Sequence, residues 1–259
     1  MLKLNKNSPP KMTSSSYEGY TDINDDRSLY LTGEISSETV VDIIRSIHDI
    51  NDNDNFYTKY YAITNCDYNP APIKLYIDSV GGSVSAAMSL INAIETSATE
   101  VHTICMGECS SAALLIFITG HKRIAYRTSL FMYHELSSGS IGKLSDIREA
   151  VEMWDKLQQS IDEIFLAYTK FTKEELKDIC SHKKDYTFDY KEAIDKGIVD
   201  QVHLSRKYPR DLEDLKAKGV SVTNEINELE ECLEKVDDDQ LLEALKMYLV
   251  KQEGNTNGD

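Results

Sequence analysis

The sequence lacks any uninterrupted apolar run of about eighteen residues, which is the length that a membrane-spanning helix requires. Segment 1–20 also lacks the apolar stretch of a secretory signal. We therefore expect a cytoplasmic protein that neither crosses nor binds a membrane.

Metal and phosphate motifs are missing as well. The five cysteines are scattered, with no Cys-x-x-Cys pair and no Cys/His cluster, which argues against a zinc site. An odd number of thiols is typical of a reducing compartment. Lys and Arg number 28 against 44 Asp and Glu, giving a net charge of −16, so nucleic-acid phosphates would be repelled. No Gly-x-x-x-x-Gly-Lys-[Ser/Thr] phosphate loop is present.

The central part of the chain repeats a strand–turn–helix rhythm. Short β-rich runs alternate with amphipathic or apolar helical runs, which favours right-handed crossovers and an α/β architecture. The predicted strands are 28–33, 73–77, 101–106, 122–126 and 129–134, and the predicted helices are 36–50, 83–96, 111–118, 145–169 and 172–182. Segments 186–188 and 192–200 are expected to close the domain.

Composition divides the chain into three parts. Residues 1–26 are polar and are expected to form a flexible arm. Residues 27–203 are predicted to form the main domain, with a polar, Asn-rich loop insertion over 51–72. Residues 204–259 are predicted to be an acidic extension, with one or two helices over 210–252.

Two glycine-containing turns occur where strands end and helices begin. The first contains Gly81 and Gly82, and the second leads to Ser111. A helix start presents unpaired N–H groups that suit an oxyanion, and a serine there is exposed for attack. A serine at a helix start is more often a cap. His134 ends an apolar strand, where it suits a general base or a surface position.

Five segments together resemble the ClpP family of serine peptidases. Their residues are most similar to those of the ClpP-like proteins of large tailed bacteriophages. The resemblance covers roughly residues 26–203. The five segments are 26–33, 76–82 (Tyr-Ile-Asp-Ser-Val-Gly-Gly), 107–112 (Gly-Glu-Cys-Ser-Ser-Ala), 131–135 (Phe-Met-Tyr-His-Glu) and 191–200.

The resemblance implies the crotonase-like ClpP fold, a twisted α/β sheet head with a projecting helical handle at 145–169. It implies that Ser111 is the nucleophile and His134 the general base. The oxyanion hole would use the N–H groups of Ala112 and of Gly82 or Gly81. Residues 136–142 would form a strand that pairs with an extended peptide; its peptide-binding positions are Leu136, Ser137, Ser138 and Gly139.

The third member of the triad has no clean match. Alignment of flanking segments places Ser181 or His182 on the family's aspartate, and Asp185 matches a later acidic residue. Asp185 is the preferred partner for His134, because the imidazole N–H needs an acceptor. Asp178, a serine, a main-chain carbonyl or no third member remain alternatives. Val80 and Ala112 also depart from the family's wording, but neither change removes a backbone donor.

The implied function is a serine endopeptidase that hydrolyses unfolded polypeptides inside an oligomeric chamber. The resemblance implies stacked heptameric rings, no cofactor and no metal. Because the chain has no phosphate loop, ATP-driven unfolding would come from a separate AAA+ unfoldase. If a bacteriophage encodes the chain, its location would be the host cytoplasm. The alternatives are a catalytically decayed structural subunit and a crotonase-fold enzyme that acts on acyl-CoA.

Overall fold

The computed structural model describes residues 27–63, 68–182, 185–204 and 208–223. Strands and helices alternate along these residues. The strands are β1 (Ser28–Ile35), β2 (Ile73–Gly82), β3 (Val101–Ser110), β4 (Lys122–Tyr126), β5 (Leu130–Tyr133), β6 (Tyr186–Asp189), β7 (Gln201–His203) and β8 (Ser221–Thr223). The helices are α1 (Ser37–Ile63), α2 (Val84–Glu95), α3 (Ala112–Ile118), α4 (Leu144–Tyr168), α5 (Lys173–Ser181), α6 (Tyr190–Asp195) and α7 (Pro209–Ala217).

The strands of the described residues form one mostly parallel sheet in the order β1-β2-β3-β4-β7-β8. Helices α1, α2 and α3 supply the crossovers that parallel neighbours require. Strand β3 pairs with β4 along its first half and with β5 near its end, where Ser110 lies opposite Met132. Strand β6 runs antiparallel to β5. The end of β3 is therefore enclosed by β2 on one side and β5 on the other.

The core lies between this sheet and the crossover helices. Along β2 the apolar residues Ile73, Leu75 and Ile77 are buried and alternate with exposed or half-buried positions. Every residue of α3 is buried. Burying each large aliphatic side chain contributes about 1.5–3 kcal/mol, so the start of α3 is anchored firmly.

Helix α4 agrees with the predicted handle at 145–169 and has two different halves. Its C-terminal half is packed into the core through Ile161 and Phe165. Its N-terminal half exposes Leu144, Val151 and Met153. The described helices include none that is long and apolar enough to cross a membrane.

The predicted loop over 51–72 is wrong for its first part, because α1 continues to Ile63. The helix is held by a buried Asp54, whose carboxylate accepts hydrogen bonds from Arg27 at 2.9 and 2.5 Å. Thr99 donates a third bond to Asp54 at 2.6 Å. Long-range contacts thus stabilise a helix that its Asn- and Asp-rich composition disfavours.

The predicted domain end at residue 203 is also wrong. Strand β8 pairs in parallel with β7 and extends the sheet. Asp211 on α7 accepts hydrogen bonds from Arg127 at 2.8 Å and Lys191 at 3.0 Å, and Leu215 is buried. Helix α7 is one helix of the predicted extension. The predicted arm at 1–26 and the rest of the extension lie outside the described residues.

Candidate active site

Ser111 occupies the junction between β3 and α3 in a strained conformation. Its φ of +55° makes it the one non-glycine residue with positive φ in the part of the chain that the structure describes. Such a conformation costs about 1–3 kcal/mol and persists only where the surroundings impose it. Here the Ser111 N–H donates to Met132 O at 2.8 Å, which fixes the turn against the end of β5.

The Ser111 hydroxyl does not cap α3, although a cap is the usual role of a serine at a helix start. It makes no capping hydrogen bond. Ser83, at the start of α2, does accept a capping bond from the Ala86 N–H at 3.3 Å. The Ser111 Oγ instead lies 2.8 Å from His134 Nε2. The two predicted reactive residues, 23 positions apart in the chain, are therefore hydrogen-bonded.

The second ring nitrogen of His134 determines which tautomer faces the serine. His134 Nδ1 lies 2.5 Å from the main-chain oxygen of Glu135. A carbonyl oxygen only accepts, so Nδ1 must carry the proton. The unprotonated Nε2 then accepts the Ser111 hydroxyl proton, which is the arrangement that a general base requires.

Asp185 lies close to His134 in the fold, but its carboxylate is not bound to the imidazole. Tyr133 pairs with Tyr186 at the end of the antiparallel β5–β6 ladder, so His134 and Asp185 are the next residues along the two strands. Asp185 is exposed. Among the described residues it makes no hydrogen bond to His134, whose Nδ1 contacts Glu135 O.

Ser181 and His182, the two residues that alignment places on the family's aspartate, lie at the end of α5, and the further alternative Asp178 lies within this helix. The Ser181 hydroxyl donates to Asp178 O at 2.9 Å, and His182 Nδ1 lies 2.8 Å from the same oxygen. These hydrogen bonds are local to the C-terminal end of α5. Within the described residues neither side chain is hydrogen-bonded to His134. Asp185 is therefore the better placed of the three.

Gly81 allows the end of β2 to pack directly on the serine turn. Its φ is +101°, and a Cβ at this position would lie 2.8 Å from both Ser110 O and Ser111 Cβ. The Gly81 N–H donates to Ser79 Oγ at 3.1 Å. Because the Gly81 N–H is already hydrogen-bonded, the Gly82 N–H is the better candidate for an oxyanion donor.

A cavity of about 250 Å³ opens beside the reactive pair. Ser111, His134, Gly82 and Ala112 line one side of it. Most of its other walls are apolar and come from Val80, Val84, Leu115, Tyr133, Leu136 and Ile161.

The predicted peptide-binding segment borders this cavity only at its start. Leu136 and Ser137 line the cavity, whereas Ser138 and Gly139 are exposed and do not. Residues 134–143 form neither helix nor strand. The pairing of 136–142 with an extended peptide stays a prediction.

Three residues near the site were not found from the sequence. Gln158 on α4 accepts the Leu136 N–H at 2.7 Å, and Tyr133 donates its hydroxyl to Asp162 at 2.9 Å. Burial, with the nearby Asp162 carboxylate, raises the pKa of Tyr133 well above its ordinary value, so the phenol stays a donor. The four-residue spacing of Gln158 and Asp162 on one helix face was the available signal.

Cys109 is the nearest thiol, two residues before Ser111. It is completely buried. Burial and its neighbour Cys105 raise the pKa of the Cys109 thiol well above its ordinary value. A buried, protonated thiol is inert, so Ser111 is the more reactive group of this turn. Within the described ranges no group of three His, Cys, Asp or Glu side chains is placed to hold a metal ion.

A comparison with known protein families gives one match that covers most of the chain. The model of the Clp protease family matches residues 11–206, a range that contains the serine turn, His134, the Gly81-Gly82 turn and Asp185. The match and the mostly parallel α/β sheet confirm the predicted crotonase-like ClpP fold. The chain belongs to the Clp protease family.

Proposed function

We propose that this protein is a serine endopeptidase that hydrolyses unfolded polypeptides, with Ser111 as nucleophile and His134 as general base. The observation that carries the proposal is the 2.8 Å contact between Ser111 Oγ and His134 Nε2. Membership of the Clp protease family supports the same reaction class.

The acyl-transfer steps follow from the contacts around Ser111. The hydroxyl attacks the peptide carbonyl carbon while its proton passes to His134 Nε2. The carbonyl oxygen becomes an oxyanion, for which the N–H groups of Gly82 and Ala112 are the donors. His134 then gives the proton to the leaving amine, and a water molecule hydrolyses the acyl-enzyme by the same route.

The proposed assembly is a homo-oligomeric chamber of stacked rings. Three exposed apolar residues in the N-terminal half of α4, Leu144, Val151 and Met153, support it, because a surface of this kind is stabilised when a second copy covers it. An AAA+ unfoldase would deliver the unfolded substrates.

A catalytically decayed structural subunit is the second candidate. One observation favours it: Asp185 makes no hydrogen bond to His134, whose Nδ1 contacts a main-chain oxygen instead. A neutral carbonyl orients the imidazole but stabilises the imidazolium less than a carboxylate does. The two candidates differ in whether Ser111 reacts.

A fluorophosphonate probe separates them. We expect the wild type to be labelled and Ser111→Ala to lose labelling and peptide hydrolysis. Ser110→Ala is the matched control, because Ser110 is adjacent but its hydroxyl donates to Glu108 at 2.6 Å; it should retain labelling. An assembled wild type that is not labelled would exclude the peptidase and favour the decayed subunit.

A further inference from the structure

A short hydrogen-bonded network fixes the chain on both sides of His134 to helix α4. Gln158 Oε1 accepts the Leu136 N–H at 2.7 Å. Gln158 Nε2 donates to Asp162 Oδ1 at 2.7 Å and lies 3.3 Å from the Tyr133 hydroxyl. Tyr133 donates to the same Asp162 oxygen at 2.9 Å. We call Tyr133, Gln158 and Asp162 the α4 clamp.

Asp162 sets the orientation of the Gln158 amide. An ionised carboxylate only accepts hydrogen bonds, so the NH₂ group of Gln158 must face it. The Gln158 carbonyl oxygen is thereby directed at the Leu136 N–H. A neutral asparagine at position 162 could pair with the Gln158 amide in either orientation. The Gln158 carbonyl oxygen would then no longer be held facing the Leu136 N–H.

The clamp controls one wall of the cavity beside Ser111. Leu136, Ser137 and Ile161 all line that cavity, and Ile161 is a buried residue of α4. Residues 134–143 form neither helix nor strand. In the extended conformation that pairing with a peptide requires, neighbouring residues direct their N–H groups to opposite sides, so a Leu136 N–H bound to α4 would turn the Ser137 main chain towards the peptide.

We propose that Gln158, oriented by Asp162, is a positioning residue that holds Leu136 and Ser137 in the register that an extended peptide substrate requires. This inference rests on the proposed peptidase function. It predicts that the clamp affects the binding of peptides more than the reactivity of Ser111.

The chain offers a matched control on the same helix. Gln159 donates to Glu163 at 3.0 Å with the same four-residue spacing, but both side chains are exposed and lie away from the cavity. We compare Gln158→Leu with Gln159→Leu, and use Asp162→Asn as a variant of nearly unchanged shape. All are measured as assembled, full-length protein, so Asp162→Asn carries the test if Gln158→Leu does not fold.

Peptide kinetics give the first readout. Gln158→Leu and Asp162→Asn should raise KM for an unstructured fluorogenic peptide about three- to tenfold, as expected for one lost hydrogen bond. Their fluorophosphonate labelling rates should stay within about twofold of wild type, and Gln159→Leu should change neither quantity. Equal KM values in the Gln158 and Gln159 variants would overturn the proposal. A parallel fall in labelling would also overturn it, because the clamp would then act on His134.

Amide hydrogen exchange tests the clamp without any activity. The Leu136 amide should exchange faster in Gln158→Leu and Asp162→Asn than in wild type or Gln159→Leu. Unchanged Leu136 exchange would contradict the inference even in an active enzyme. Conversely, a wild type that neither hydrolyses peptides nor reacts with the probe refutes the proposed function, whatever the exchange shows.

Discussion

Replacing Gly81 with alanine would press a methyl group into the turn that carries Ser111. The added Cβ would lie 2.8 Å from Ser110 O and from Ser111 Cβ, and 3.2 Å from Ala112 N. These atoms cannot yield easily, because α3 is buried along its whole length and the Ser111 N–H is bound to Met132 O. The reactive hydroxyl should therefore move relative to His134.

The magnitude follows from two separate costs. An alanine at the φ of +101° that Gly81 adopts costs about 1–2 kcal/mol. Overpacking against the turn costs about 1–3 kcal/mol. A shift of the serine turn would relieve part of this steric and conformational cost. A displacement of roughly 1 Å at the reacting atoms lowers a reaction rate about 100-fold. We expect Gly81→Ala to label with fluorophosphonate about 100-fold more slowly than wild type.

Two other glycines serve as controls, because they separate the cost of a positive φ from the cost of the steric contact. Gly33 and Gly219 have φ values of +74° and +71°, but a Cβ at either would meet nothing within 4 Å. Alanine there should lower the thermal midpoint by about 2–8 °C and leave the labelling rate of Ser111 unchanged. If Gly81→Ala labels as fast as these two variants, the argument from the close contact at the serine turn is refuted.

Two further predictions concern carboxylates. Asp54→Asn removes the anion that faces the buried Arg27 and should cost about 3–5 kcal/mol of unfolding free energy in urea. Burial raises the pKa of Asp54, but hydrogen bonds from Arg27 and two hydroxyls outweigh it and hold this pKa below its ordinary value. The stabilisation is thus complete above that value and is lost as the pH falls through the folded-state pKa; a wild-type-to-variant difference that is identical at pH 7 and in strong acid would contradict this. If Asp185 is the third member of the triad, Asp185→Asn should lower kcat/KM for a peptide by about 10- to 10⁴-fold, because a triad carboxylate stabilises the imidazolium; wild-type hydrolysis would show that Asp185 does not assist His134.

Local residue patterns were sufficient to predict most of the helices and strands. The amphipathic pattern over 83–96 predicted α2, and the structure adds that Ser83 caps this helix. The three- and four-residue spacing of apolar side chains from Ile147 to Phe165 predicted α4. These signals lie within a few residues of the structure that they specify, so they can be interpreted without knowledge of the fold.

The two errors in the fold concern segments that distant contacts stabilise. Residues 51–63 have the composition of a loop, yet they are helical because Asp54 pairs with Arg27 from the start of β1. The segment after residue 203 was assigned to an appendage, yet β8 joins the sheet beside β7. In each case the partner lies far away in the chain, where no local pattern reveals it.

The same distinction applies to the candidate site. The order and wording of the motifs pointed to Ser111 and His134 as a pair, whereas their 2.8 Å contact depends on the pairing of β3 with β5. The resemblance named Gly82 as an oxyanion donor with Gly81 as the alternative, and the hydrogen bond from the Gly81 N–H to Ser79 favours Gly82. It gave no sign that Gln158 holds Leu136. The sequence determines which reactive side chains are present. The distances between those side chains are determined by strand register and helix packing, which depend on contacts across the whole sheet.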